Sequence, residues 1–104
     1  MTPEHRLQNE IKLWCGEHNI ICLRINVGKV KTVDGRWFDT GLPVGFSDLL
    51  LLSADGKATF VETKIKPRKP TEQQIQFIQL MKNRGFNAFV AYSLQEFIER
   101  YMHS

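Results

Sequence analysis

The chain has 104 residues, 42% of them apolar and 11% aromatic, enough for one folded core and too much for a disordered chain. Its 14 Lys and Arg against 11 Asp and Glu leave a net charge of +3, which is too mild to name a partner by itself. No apolar run approaches the roughly eighteen residues that span a bilayer, and Met1-Thr2-Pro3-Glu4-His5 is not the start of a signal peptide, so a cytoplasmic protein without a membrane partner is expected.

Residues 3–18 carry Leu7, Ile11, Trp14 and His18 at helical spacing, with Cys15 widening the stripe, and Thr2-Pro3-Glu4 reads as the start of that helix. Trp14 is expected in the core. Cys15 and Cys22 suggest neither a disulfide framework nor a zinc site and are read as reduced thiols. Residues 20–27 read as a strand that Gly28 breaks. Residues 29–46 are less regular, with a turn at Val33-Asp34-Gly35-Arg36 between short strands and a loop over Gly41–Gly45; Trp37 and Phe38 there suit either an interface or a wedge against DNA.

The clearest unit follows. FSDLLLL at 46–52 and KATFVETKI at 57–65 flank Ser53-Ala54-Asp55-Gly56, a hairpin signal. With Gly56 in the left-handed position of a three-residue loop, Ser53 pairs with Lys57 and Asp48 falls opposite Glu62. Paired residues on one face have Cβ atoms roughly 4.5–5.5 Å apart. A two-residue turn would shift that register. Pro67 and Pro70 end the strand, and Thr71 with Gln74 forms a capping box for a helix to about Arg84 that buries Ile75, Ile78 and Met81 and stops at Gly85. Residues 86–92 read as a strand, and Ser93 with Glu96 as a second capping box opening a helix with Phe97, Ile98 and Tyr101 inward. The order is α-β-β-β-α-β-α: an α/β fold with a mixed central sheet flanked by helices, expected to be one domain over residues 1–104.

Asp48 precedes Leu49-Leu50-Leu51-Leu52, and Glu62 lies between Val61 and Ile65 in a strand that should be central; an unpaired carboxylate is costly to bury in either place. Two carboxylates face to face raise each other's pKa unless a cation intervenes. Lys64, on the same face as Glu62, supplies part of that cation and a divalent metal the rest, since Mg²⁺ takes oxygen ligands and keeps waters. The alternative is a structural Asp–Lys–Glu network, although such networks rarely gain stability over apolar packing. A metal on two carboxylates activates water and neutralises charge on a phosphate, a neighbouring lysine orients the water or stabilises the transition state, and Gln74 at a helix N-terminus suits a water or a phosphate oxygen. These parts describe phosphodiester hydrolysis.

Two segments of the chain are locally basic and the remainder is roughly balanced. Arg24, Lys29, Lys31 and Arg36 stand against Asp34 alone, and Lys64, Lys66, Arg68 and Lys69 against Glu62 alone. Either they form a solvated face, or they grip a polyanion. Arg24, Asn26 and Lys29 suit phosphate contacts, which position DNA without reading its sequence. His5, His18 and His103 show no metal-ligand spacing.

Asp48 followed by Glu62-Thr63-Lys64 matches the PD-(D/E)xK nuclease signature. Lys66-Pro67, Lys69-Pro70-Thr71-Glu72-Gln73-Gln74, the opening Glu4-His5-Arg6-Leu7-Gln8, the strand Arg24-Ile25-Asn26-Val27-Gly28 and the placement of Gly45 before Asp48 resemble the VRR-NUC (virus-type replication-repair nuclease) family, over nearly the whole chain. The resemblance implies a restriction-endonuclease-like core. It implies Asp48, Glu62 and the backbone carbonyl of Thr63 as ligands of Mg²⁺ or Mn²⁺, Glu4 completing the site directly or through water, Lys64 as catalytic lysine and Gln74 as the family's additional glutamine. Glu10 rivals Glu4, but Glu4 shares a helix face with Leu7, Gln8 and Ile11 and Glu10 is displaced from it. Ser47 stands where the family usually has proline, a position that shapes backbone and ligates nothing.

Small standalone members of this kind resemble phage and bacterial homodimers acting on branched DNA such as four-way junctions. The resemblance thus implies a metal-dependent DNA endonuclease in a bacterial cell or phage-infected host. A catalytically silent DNA-binding module of the same fold, an exonuclease on DNA ends and a site-specific restriction-type nuclease are the competing readings; a small basic domain without an added specificity domain reads little sequence.

Overall fold

A computed structural model describes residues 1–25, 29–31, 33–39 and 42–103, with 29–31 and 37–39 described as backbone alone. In chain order the elements are α1 (Pro3–Glu17), β1 (Ile20–Arg24), β2 (Lys29–Lys31), β3 (Trp37–Asp39), β4 (Leu49–Ser53), β5 (Ala58–Thr63), α2 (Glu72–Asn83), β6 (Asn87–Ala91) and α3 (Leu94–Met102). The central sheet runs β1-β4-β5-β6. Its β1–β4 and β4–β5 pairs are antiparallel and its β5–β6 pair is parallel. This is the expected mixed α/β sheet flanked by helices. The β2–β3 hairpin, with Lys31 opposite Trp37 and the 33–36 turn between, is a separate two-stranded sheet inserted between β1 and β4.

Strand alternation divides the core between the two sheet faces. Leu49 and Leu51 of β4, Val61 of β5 and Phe89 and Ala91 of β6 pack with Leu7, Ile11 and Cys15 of α1 and Phe97 of α3. The residues between them, Leu50, Phe60, Ala88 and Val90, pack with Phe77, Ile78 and Met81 of α2 and with Phe46. Each fully buried aliphatic or aromatic side chain contributes roughly 1.5–3 kcal/mol. Trp14, expected in the core, is partly buried at the margin of the first cluster, in edge-to-face contact with Phe97 at 5.5 Å. Cys15 and Cys22 are both free thiols. A hydrogen bond between them, aided by burial, raises the Cys15 pKa, and the same bond lowers that of Cys22.

The helix starts follow local chemistry. Thr2 Oγ1 accepts the His5 N–H at 3.1 Å, with Pro3 in the first turn of α1. At α2 the full capping box forms: the Gln74 N–H donates to Thr71 Oγ1 and the Thr71 N–H donates to Gln74 Oε1. Ser93 Oγ likewise accepts the Glu96 N–H, but the Glu96 carboxylate pairs with Arg100, so the structure gives the second box only its first half.

Two inward assignments change. His18 is exposed at the end of α1, stacked on Trp14 rather than continuing the buried stripe. In α2, Ile75 is 53% exposed and Phe77 takes its place, because the cap at Thr71 phases the helix so that Phe77, Ile78 and Met81 face the sheet.

Candidate metal centre

The hairpin between β4 and β5 brings the acids together. Gly56 has φ +88°, the Gly56 N–H reaches the Ser53 carbonyl and the Ser53 N–H reaches the Lys57 carbonyl, both at 3.0 Å. The ladder then reads Leu52 with Ala58 through Leu49 with Val61, and one further step sets Asp48 against Glu62. The three-residue loop therefore holds the register expected from Ser53-Ala54-Asp55-Gly56. On its other side Asp48 is tied to β1, its carbonyl accepting the Ile25 N–H at 2.8 Å.

Ahead of Asp48 the chain passes close to the start of α2. Gly45 has φ +92°, and a Cβ there would stand 2.5 Å from the Gln73 carbonyl oxygen, so only glycine fits. Ser47 is buried and donates its hydroxyl to the Leu49 carbonyl at 3.0 Å.

Glu4 from the first turn of α1 joins the pair. Glu4, Asp48 and Glu62 each present a carboxylate oxygen, and the three atoms lie within 4.8 Å of one another. Glu10 is exposed and stands outside this cluster, whereas Glu4 is half-buried. Glu62 is 1% exposed, and among the described residues neither of its carboxylate oxygens has a hydrogen-bond partner. Among the described residues Lys64 Nζ, also buried, forms an ion pair with it, 3.6 Å from Oε2. Burial first, and the Asp48 carboxylate second, push the Glu62 pKa up to about 8; Glu4 adds to the rise and Lys64 opposes it. A buried acceptor facing two further carboxylates needs either a proton or a cation. The donor set is all oxygen, which suits Mg²⁺ or Mn²⁺ and not a soft metal.

Asp48 is held from one side. The Thr63 N–H and the Thr63 hydroxyl both donate to its Oδ2, at 2.9 and 2.7 Å, and Gln8 Nε2 in turn donates to the Thr63 hydroxyl at 2.9 Å. Sequence reasoning placed Gln8 on the right helix face without giving it a task. A glutamine between Leu7 and Ile11 on a buried stripe was the available signal, since a buried amide requires partners.

The remaining site residues are less closely gathered. Gln74 is half-buried, and its Oε1 is engaged in the capping box. Arg68, 71% exposed, lies 3.6 Å from Glu4 Oε2, brought there by a turn in which its N–H donates to the Ile65 carbonyl. Lys66 is exposed with its Nζ 5.9 Å from the Tyr92 ring, and Lys69 is exposed. Arg24 donates to Asn9 Oδ1 at 2.8 Å, and Arg36 pairs with Asp34. Asn26 and the side chains of Lys29, Lys31, Trp37 and Phe38 lie outside the described residues. No helix among the described residues is long and apolar enough to cross a membrane.

The sequence model of the VRR-NUC domain matches residues 2–95. Among solved structures, one described as a VRR_NUC domain has 25% identity and a TM-score of 0.74 over 99% of this chain and 98% of its own. Another, described as a VRR_NUC domain protein, has 14% identity and a TM-score of 0.69 over 99% of this chain and 88% of its own, a likeness of fold. No curated protein matches the chain. With the family's sequence model spanning almost all of it, the chain belongs to the VRR-NUC domain family.

Proposed function

We propose that this chain is a Mg²⁺- or Mn²⁺-dependent endonuclease that hydrolyses DNA phosphodiester bonds, selective for branched DNA such as four-way junctions and active as a homodimer. Membership of a nuclease family and the Glu4–Asp48–Glu62 cluster support a metal-dependent enzyme acting on DNA in general terms. The observation that carries the reading further is the Glu62 carboxylate, buried, without a hydrogen-bond donor among the described residues, and facing two other acids. Groups arranged in that way are destabilising unless a proton or a cation joins them, and a cation is the partner that gives the cluster a chemical use.

In this reading Asp48, Glu62 and the Thr63 carbonyl are the ligands, with Glu4 binding directly or through water. A divalent cation held there would supply an acidified water and neutralise charge on the phosphate. Lys64, held beside Glu62, orients the attacking water and stabilises the negative charge that develops on the phosphate. Gln74 offers its amide NH₂, left over from the cap, to a water or a phosphate oxygen. Arg68, Lys66 and Lys69 line the segment after β5 and grip the DNA backbone, with Arg24, Asn26, Lys29, Lys31 and Arg36 extending the contact.

The preference for branched DNA and the dimer rest on the resemblance to small standalone members: two coordinated sites would supply two cuts and a larger DNA surface than one domain of 104 residues offers. Residues 1–104 would act as a single domain in the cytoplasm. The test compares labelled four-way, flap and linear duplex DNA and a closed circular duplex, with sedimentation of the free protein. Paired cuts at the branch, much slower nicking of the circle and a dimer mass are expected. Digestion only from ends would overturn the endonuclease, equal cutting of linear duplex the branch preference, and a monomer mass the dimer.

A further inference from the structure

We propose that Gln8 and Thr63 are positioning residues of the metal centre, a hydrogen-bond relay that fixes which Asp48 oxygen faces the cation. The proposal rests on the metal-dependent reading above and deepens it. Gln8 is 6% exposed and lies on the stripe of α1 otherwise made of Leu7, Ile11 and Cys15. Its amide donates to Thr63 Oγ1, occupying a lone pair of that hydroxyl. A hydroxyl has a single proton to give, and with Gln8 in place that proton goes to Asp48 Oδ2. The Thr63 N–H donates to the same oxygen.

Two donors on Oδ2 fix the rotation of the carboxylate and leave Oδ1 as the atom for the cation. Gln8 follows Glu4 by one helical turn, so α1 sets two acids at once: Glu4 by carrying it, and Asp48 through Thr63. The residue between the Glu and Lys of the ETK tripeptide thereby has a side-chain task as well as a backbone one. Partners that orient metal ligands in this way change metal affinity or activity by about 10–100-fold when removed.

Mn²⁺ titration calorimetry on the metal-free protein tests the relay without reference to cleavage. Thr63→Val keeps the shape and removes the donor, Gln8→Leu removes the upstream amide, and Thr63→Ser restores the hydroxyl. Thr63→Val and Gln8→Leu are expected to weaken Mn²⁺ binding by about 10–100-fold while Thr63→Ser binds like wild type. Cooperative unfolding and unchanged DNA affinity in EDTA certify the fold of each variant. Folded variants with wild-type Mn²⁺ affinity overturn the relay and leave the metal centre standing. A variant that no longer unfolds cooperatively marks its residue as structural and overturns the relay too. A wild-type protein that takes up no Mn²⁺ overturns the metal reading beneath it.

Discussion

Arg68 Nη1 lies 3.6 Å from Glu4 Oε2, so the basic segment after β5 is tied to an acid of the candidate metal cluster. The pair is open to water on the arginine side and adds little stability, about 0–1 kcal/mol. Its importance is location, since it sets a guanidinium beside the carboxylate cluster that the proposed function makes the metal centre. Arg68→Gln is expected to leave the thermal midpoint nearly unchanged. DNA affinity should fall, and the slope of log affinity against log salt should drop by about 1 if one phosphate contact is lost. Binding isotherms across a salt series check this, and an unchanged slope would remove Arg68 from the DNA face.

The acid cluster predicts an unusual dependence on pH. Glu62 is raised from 4.5 to about 8 in the folded chain, by burial and by Asp48. Between those values the metal-free folded state holds a proton that the unfolded state has released, so stability is full below about 4.5 and is lost as pH rises through 8. The loss is on the order of several kcal/mol. Glu62→Gln should flatten this slope and be the more stable protein at pH 8 in EDTA. Denaturant unfolding at a series of pH values measures both.

The same proton gives a second signature. A cation arriving on Glu62 below pH 8 must displace it, so Mg²⁺ or Mn²⁺ affinity should rise with pH towards 8 and level off above it. Calorimetry at pH 7 in buffers of different ionisation enthalpy should show release of about one proton per site. No dependence on the buffer would mean that Glu62 is not a ligand.

Gly45 is a structural requirement of the site. Its backbone is left-handed, and a Cβ would meet the Gln73 carbonyl oxygen at 2.5 Å. Gly45→Ala must therefore shift either the chain leading to Asp48 or the start of α2, and about 1–3 kcal/mol of stability should be lost. Thermal unfolding checks it. Gly56, also at positive φ but with open space around it, should respond less to the same change.

Much of this arrangement was legible in the residues. The Asp48–Glu62 pairing followed from one turn: Gly56 set the loop length, and the period of two carried the register to the acids. Helix geometry favoured Glu4 over Glu10 without deciding between them, and the structure has Glu4 half-buried beside Asp48 and Glu62 and Glu10 exposed. Phe77 was missed in favour of Ile75 because two apolar residues on adjacent faces compete, and the phase is set only once the Thr71 cap fixes the first turn. Glu96 was assigned to a capping box, yet Arg100 one turn on competes for its carboxylate. The Gln8–Thr63–Asp48 relay joins residues 55 and 15 positions apart, so no local pattern carries it. It depends on which face of β5 meets α1.

The most direct measurement is the rate of cutting of a labelled four-way junction under single turnover, in Mg²⁺, Mn²⁺ or EDTA, for wild type, Glu62→Gln and Lys64→Met, with binding measured in parallel. Cutting that requires the metal and falls by at least about 10²-fold in both variants, while the junction is still bound, is the predicted result. Cutting that persists in EDTA, or that survives the loss of Glu62, would contradict a metal centre built on the facing carboxylates.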